Sequence, residues 1–297
     1  MGEASSSDKR LGGAGGGRLE TGLAALGTLR WVVVDLTLPL EEVRRRLDLS
    51  PLSSVALGRT LIGAVLLRRI ALKVPARLTL TIEGDGAFGR ILGEVGRGGA
   101  VRGLIGDPRV ETPADGSMIL APFVGRGSLI VSRDTDGETY SSKVELVSGE
   151  IGEDLAHYLE QSEQIRSAVL VGVLPQPNGI AAAGGLIVEA LPGTSDEVID
   201  QLETNVRSLP GVSSTLAQGG PAALKAGILS GFDLEPLEDL PLAYECECGR
   251  EQLGEQLRTL AQADLEDLLA ESGTCEAECA FCGERYEFSA AEILPSA

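Results

Sequence analysis

Five cysteines fall within the last 52 residues of this 297-residue chain, and four of them are spaced as two close pairs. Cys246 and Cys248 form a C-x-C, Cys279 and Cys282 a C-x-x-C, and 30 residues lie between the pairs. Each pair supplies two sulfurs from one short stretch, which is what a tetrahedral four-cysteine zinc site requires. Gly249 and Gly283 follow the pairs, where tight turns often need a positive φ. Four thiolates fill the coordination shell of zinc and leave no position for water, so such a site is structural or regulatory rather than hydrolytic. About 50 residues bury only a marginal core, whereas structural zinc contributes apparent free energies of roughly 10–16 kcal/mol in small modules. Loss of the metal is therefore expected to unfold this one.

The surroundings are acidic. From Tyr244 to Ala297 there are 13 acidic and 3 basic residues, more than half of the chain's net charge of −19. A nucleic-acid zinc ribbon needs basic residues and stacking aromatics, and a chain of this charge repels a phosphate backbone; no nucleic-acid partner is expected. Glu245, Glu247, Glu276 and Glu278 are expected to raise the thiol pKa values by like-charge repulsion. Zinc reverses that by holding the sulfurs as thiolates, and oxidation to two disulfides would destroy the ligand set.

Ahead of this module the patterning predicts an α+β fold with a mainly antiparallel sheet. Leu29–Val34 reads as a strand, and Leu40, Val43 and Leu47 recur at helical spacing. Ser53 to Leu72 reads as a buried helix with Leu57, Leu61, Ala64 and Leu67 on one face. Short strands follow at Leu78–Ile82, Arg90–Leu92, Val101–Ile105, Ser128–Ser132 and Tyr140–Leu146, then a helix around Ile151–Leu159 and strands at Ala168–Leu174 and Gly185–Leu191. Beyond Pro192-Gly193, Thr194 and Glu197 suggest a capping box. Val198, Ile199, Leu202, Val206 and Leu209 then form an apolar stripe, and a second helical stretch carries Leu224, Ile228 and Leu229 after the break at Gly219-Gly220-Pro221. Such a stripe is ordinary core or a face that becomes available when its neighbour unfolds.

Several signals are discounted. Gly84, Gly86 and Gly89 spell G-x-G-x-x-G, but a strand rather than a helix follows, so a hairpin is expected in place of a dinucleotide site. His157 is the only histidine and is expected to be solvated; with no second histidine and no local motif, no catalytic triad is indicated. A thioredoxin-type enzyme would carry its CxxC at a helix start after a strand. No apolar run is long enough to span a bilayer. The N-terminus lacks the apolar stretch of a secretory signal, so cytoplasmic residence with reduced thiols is expected. Met1-Gly2 with Ser6 matches a loose myristoylation pattern, which a Gly/Ser-rich tail explains more simply.

The C-x-C, C-x-x-C pattern, with Phe281 inside the second pair and Tyr286 and Phe288 after it, resembles the thirty-three-kilodalton heat-shock protein family of redox-regulated zinc chaperones. Arg59-Thr60-Leu61, Gly84-Asp85-Gly86, Val101-Arg102-Gly103, Ser148-Gly149-Glu150, Tyr158 through Gln161-Ser162-Glu163-Gln164, Gly184-Gly185 and Ala190-Leu191-Pro192-Gly193 also look like that family's core motifs. The resemblance runs from about Thr28 to the C-terminus. It implies a non-enzymatic, ATP-independent holdase, inactive while reduced and zinc-bound, that loses zinc under oxidant and unfolding stress, dimerises and binds unfolding clients. It also implies one zinc ion on Cys246, Cys248, Cys279 and Cys282, with Cys246–Cys248 and Cys279–Cys282 as the oxidised pairs; such short rings close at little entropic cost. Cys275 lies outside the motif and is expected to be a small residue near a turn. The expected organisation is a disordered tail over 1–24, a core chaperone domain over 25–193, a helical linker over 194–243 and a zinc-binding redox-switch domain over 244–297. A constitutive zinc-stapled binding protein ranks second, and a thiol-disulfide enzyme third.

Overall fold

The computed structural model describes residues 16–71, 76–96, 98–135, 137–270 and 272–294. The myristoylation pattern and the first fifteen residues of the expected tail lie outside them, as does Leu72. The chain divides into two compact units, Met1–Glu245 and Cys246–Ala297.

The first unit opens with β1 (Gly17–Ala24), β2 (Leu29–Asp35), α1 (Thr37–Leu47) and α2 (Pro51–Ala71). Next come β3 (Arg77–Gly84), β4 (Arg90–Val95), β5 (Ala100–Ile105), α3 (Ala121–Val124), β6 (Gly127–Thr135) and β7 (Glu138–Glu145). It is completed by α4 (Gly152–Tyr158) with a π-helical turn (Leu159–Glu163), β8 (Ser167–Gln176), β9 (Gly179–Ala190), α5 (Asp196–Ser208), α6 (Val212–Ile228) and β10 (Leu234–Tyr244). Helices pack on a sheet whose neighbours are antiparallel except for β5 and β10, so the class is α+β.

The ten strands run β7-β6-β3-β4-β5-β10-β1-β2-β9-β8. Only two residue pairs, Ala243 with Ala100 and Tyr244 with Val101, join its halves. The core is organised around α2, which is buried on nearly every side because its sequence is apolar all round. Two of its hydroxyls are satisfied within the helix's own backbone, Thr60 Oγ1 donating to Ala56 O at 2.9 Å and Ser54 Oγ to Ser50 O at 2.8 Å, while Ser53 Oγ donates to Asp107 O at 3.1 Å. Gly58 lets Leu40 and Val173 approach; a Cβ there would lie 2.5 Å from Leu40 Cδ2.

Two segments differ from expectation. Gly17–Ala24, placed in the tail by its glycine content, is β1: Leu19, Thr21 and Ala24 are buried, and the strand pairs with β2 and β10. The expected helical linker is helical only to Ile228, and Leu234–Tyr244 is a strand. Pro236 and Pro241 disguise it, because proline cannot donate to a ladder; both are tolerated since β10 from Leu234 to Leu242 pairs with β1 alone.

The apolar stripe of α5 is docked. Leu202 is buried with Trp31, Val33, Leu186 and Val188, and Val198, Val206 and Leu209 pack against that cluster. Buried Asn205 donates through Nδ2 to Ile228 O at 2.8 Å and Ser230 O at 2.9 Å, tying α5 to the end of α6. The N-cap of α5 is Ser195, not Thr194, whose hydroxyl instead bonds Thr28 O and Leu191 O. The hairpin at Gly84–Gly89 joins β3 to β4 as expected; a Cβ on Gly86 would lie 2.2 Å from Phe123 O, so close backbone packing accounts for that glycine.

The second unit contains α7 (Arg250–Leu257), α8 (Gln262–Leu269), a hairpin of β11 (Thr274–Glu278) and β12 (Arg285–Ser289), and α9 (Ala290–Ile293). Leu253, Leu265, Leu269, Cys275, Phe288 and Ile293 form its core. Cys275 is therefore a core residue on β11, opposite Phe288 and two residues after the turn at Gly273, whose φ is +73°. Among the described residues no helix is long and apolar enough to cross a membrane.

Candidate metal centre

Cys246 and Cys248 lie on the irregular stretch between β10 and α7, where alternate residues face the same way: both thiols are half-buried while Glu247 between them is exposed. Gly249 is extended, with φ −154°, and serves as the N-cap of α7, so the positive φ expected there is absent. Cys279 and Cys282 lie on the turn after β11. The Cys279 N–H donates to Glu284 O at 2.9 Å, and the Gly283 N–H donates back to Cys279 O at 2.8 Å. Gly283 has φ +69°, the left-handed conformation that lets the chain reverse into β12.

These two stretches bring the four predicted cysteines together. Their sulfurs all lie within 4.8 Å of one another, with Cys246 Sγ 3.7 Å from Cys279 Sγ and Cys248 Sγ 3.4 Å from Cys282 Sγ. Four sulfurs held tetrahedrally at a metal–sulfur distance near 2.3 Å would be spaced by about 3.8 Å. The residues therefore fit a metal ion, and no sulfur is committed to a disulfide. Cys275 is buried apart from this set, its thiol pushed up by burial.

Burial dominates the electrostatics. It pushes the Cys246 thiol up to about 11 and raises Cys282 as well. At Cys279 burial also opposes ionisation, but hydrogen bonds from the Phe281 N–H and from Cys282 and Cys246 outweigh it, and the displacement is downward. Carboxylate repulsion was the expected cause and is not the leading one. Glu247, Glu276 and Glu278 are exposed, where their charge is screened, and Arg285 pairs with Glu276 at 3.4 Å and with Glu278 at 2.9 Å. A site with two raised thiols needs a cation before it can hold four thiolates.

The sequence does not predict the role of Tyr286, whose hydroxyl lies 3.9 Å from Cys248 Sγ. The usable signal is its place on β12 two residues before buried Phe288, which puts both rings on one face of the strand. Arg250 lies over the Phe288 ring at 4.7 Å and donates to Glu287 O at 2.6 Å, fastening α7 to β12 beside the cysteines. His157 is half-buried in a 570 Å³ groove between α4 and α5.

The family described as Hsp33 protein matches residues 18–289. A 33 kDa chaperonin of Thermus thermophilus is 42% identical over 291 residues, covering 93% of this chain and 85% of the relative. That of Latilactobacillus sakei is 37% identical over 273 residues, covering 90% and 94%. The crystal structure of the 33 kDa chaperonin from Thermotoga maritima, a heat shock protein 33 homolog, superposes with a TM-score of 0.86 at 35% identity over 94% of this chain and 97% of the other. The matched span takes in both the α2-centred sheet unit and the four-cysteine site, and the chain belongs to the Hsp33 family.

Proposed function

We propose that this chain is a redox-regulated, ATP-independent holdase chaperone of the cytoplasm whose sensor is a zinc site on Cys246, Cys248, Cys279 and Cys282. The observation that carries the proposal is the convergence of four free sulfurs within 4.8 Å inside a 52-residue unit of its own. Zinc, when bound there, keeps the sulfurs as thiolates and closes the shell against other ligands. One hydrogen peroxide per pair takes two electrons from the two thiolates and two protons from solvent and leaves as two waters, while Cys246–Cys248 and Cys279–Cys282 become disulfides. The ligand set is then gone, and the unit, with a core of six buried residues among those described, opens. The region 194–243 loosens with it, the protein dimerises, and surface that binds unfolding proteins is uncovered. The core, which takes in β1 from Gly17 and runs to 193, and the switch over 244–297 thus have separate tasks, and no step requires catalysis, nucleic acid or a membrane.

That same small apolar core favours a second reading, in which zinc merely staples a constitutive binding module. One purified sample separates the two. Zinc release and aggregation of an unfolding client are measured before and after peroxide at elevated temperature, and the disulfides are mapped by mass spectrometry. The switch predicts one zinc released, two disulfides and suppression only after oxidation. Equal suppression by the reduced zinc form rules the switch out.

A further inference from the structure

Strand β10 is poorly made for its place in the sheet. From Leu234 to Pro241 every side chain is exposed, and only Leu242 and Tyr244 at its end are buried. Leu234, Leu237 and Leu240 are 42%, 54% and 44% exposed, so these leucines gain little from folding. Pro236 and Pro241 keep a second strand from pairing along its far side, and the register with β1 steps past Leu237 between Thr21 and Gly22. Its tethers to the body of the unit, Arg18 with Asp239 and Arg69 with Glu238, are surface ion pairs of the kind that add little. Few buried contacts and exposed hydrogen bonds mark a segment that opens at low free energy. One residue, Glu245, separates this strand from Cys246.

The edge that β10 covers is of the opposite kind. β1 is held on its other side by seven consecutive pairs with β2, and Leu19, Thr21, Gly22 and Ala24 are buried. Its partner is nonetheless gripped by the main chain and scarcely by side chains, since eight successive side chains of β10 point into solvent. An edge that binds a strand in this way is indifferent to sequence, because side-chain pockets supply the specificity of strand addition and here there are almost none.

We propose that the edge of β1 is a docking surface for an extended segment of unfolded polypeptide, with β10 as the occupant that keeps it closed in the resting protein. The inference rests on the chaperone reading above and adds to it a place and a mode of contact: a client strand pairs with β1 where β10 lay. Opening frees up to eight residues of β1 edge, Gly17 to Ala24, in antiparallel register. The exposed-edge hazard that β10 manages in the resting state thereby becomes the binding device.

The test uses the full chain with a photo-cross-linking phenylalanine at Arg18 on β1 or at Tyr140 on β7, an edge strand that serves as the control. Reduced and carboxymethylated α-lactalbumin is the permanently unfolded probe. After peroxide the Arg18 position is expected to give at least about fivefold more adduct than the Tyr140 position, a ratio equivalent to a preference of one kcal/mol or slightly less. Before peroxide neither should cross-link. A second variant, Glu235→Val, sets a β-branched side chain opposite Leu23 across the β1–β10 pair and strengthens that pairing; it should release zinc at the wild-type rate yet capture the probe severalfold more slowly. Equal adducts at the two positions, or probe capture by the Glu235→Val variant at the wild-type rate, would overturn the docking surface while leaving the chaperone reading intact. Oxidised wild-type protein that suppresses no aggregation would overturn both.

Discussion

Cys248 Sγ stands 3.4 Å from Cys282 Sγ although 34 positions separate them along the chain. Each thiol of one pair has a close neighbour in the other, so the site joins the α7 side of the unit to the β11–β12 hairpin. Replacing any one of the four by serine is expected to abolish stoichiometric zinc and with it the cooperative unfolding of Cys246–Ala297. Cys275→Ser, outside the set, should retain one zinc per chain. Metal analysis of the five single variants checks the division.

Tyr286 is expected to steady the ligand beside it. Its hydroxyl is directed at Cys248 Sγ over 3.9 Å, and partners of metal ligands typically carry 10–100-fold in affinity. Tyr286→Phe should keep the fold and one zinc but lose it to a competing chelator at about tenfold lower concentration. An unchanged competition curve would remove Tyr286 from the site.

Phe288 is 2% exposed and packs with Leu253, Leu265 and Leu269. Phe288→Ala should cost about 3–5 kcal/mol, which a unit of this size cannot spare once its zinc is chelated. Thermal unfolding of the zinc-loaded protein should show a lowered first transition, and chelated protein none for this unit.

Glu41 links α1 to the β8–β9 hairpin. It pairs with Arg44 at 2.8 Å and accepts the Ile180 N–H at 3.1 Å. The hydrogen bond from Arg44 outweighs the opposing effect of burial and holds the carboxyl below its ordinary 4.5. A carboxyl depressed in the folded state stabilises it fully above the unfolded value and loses that contribution as pH falls through the folded one. Stability of the first unit should therefore decline from about pH 4.5 downward. Glu41→Gln should lower the thermal midpoint at pH 7 and flatten its slope in that acid window.

Asn205 bonds two carbonyls at the end of α6. Asn205→Ala leaves both unpaired beneath α5, at a cost of about 1–3 kcal/mol. Hydrogen exchange should quicken across α5 and the end of α6 while β3–β6 stays protected. Unchanged exchange would show that the apolar stripe alone holds these helices.

Much of this molecule can be read from local signals. The two-residue period of β3, the all-apolar α2 and the four-cysteine spacing each express a preference that neighbours along the chain already share. The misreadings have the opposite character. β1 is rich in glycine and β10 in proline and acid, so neither has strand-like local chemistry; β1 is a strand because β2 and β10 flank it, and β10 because β1 is there to pair with it. Tyr286 belongs with the same class, an aromatic on an alternating hairpin until the turn after Cys279 aims it at Cys248.

The sequence by itself determined which residues can bind a metal, because ligand chemistry resides in side chains and the C-x-C and C-x-x-C spacings already bring each pair together. It also determined the buried helix and most of the sheet, since hydrophobic periodicity is a local property. Only the tertiary structure decided that the two pairs meet within 4.8 Å, that burial rather than neighbouring carboxylates governs the Cys246 and Cys282 thiols, and that a strand with exposed side chains closes the edge of β1. Those outcomes depend on desolvation and long-range pairing, which come into being when distant segments pack and leave no imprint on either segment alone.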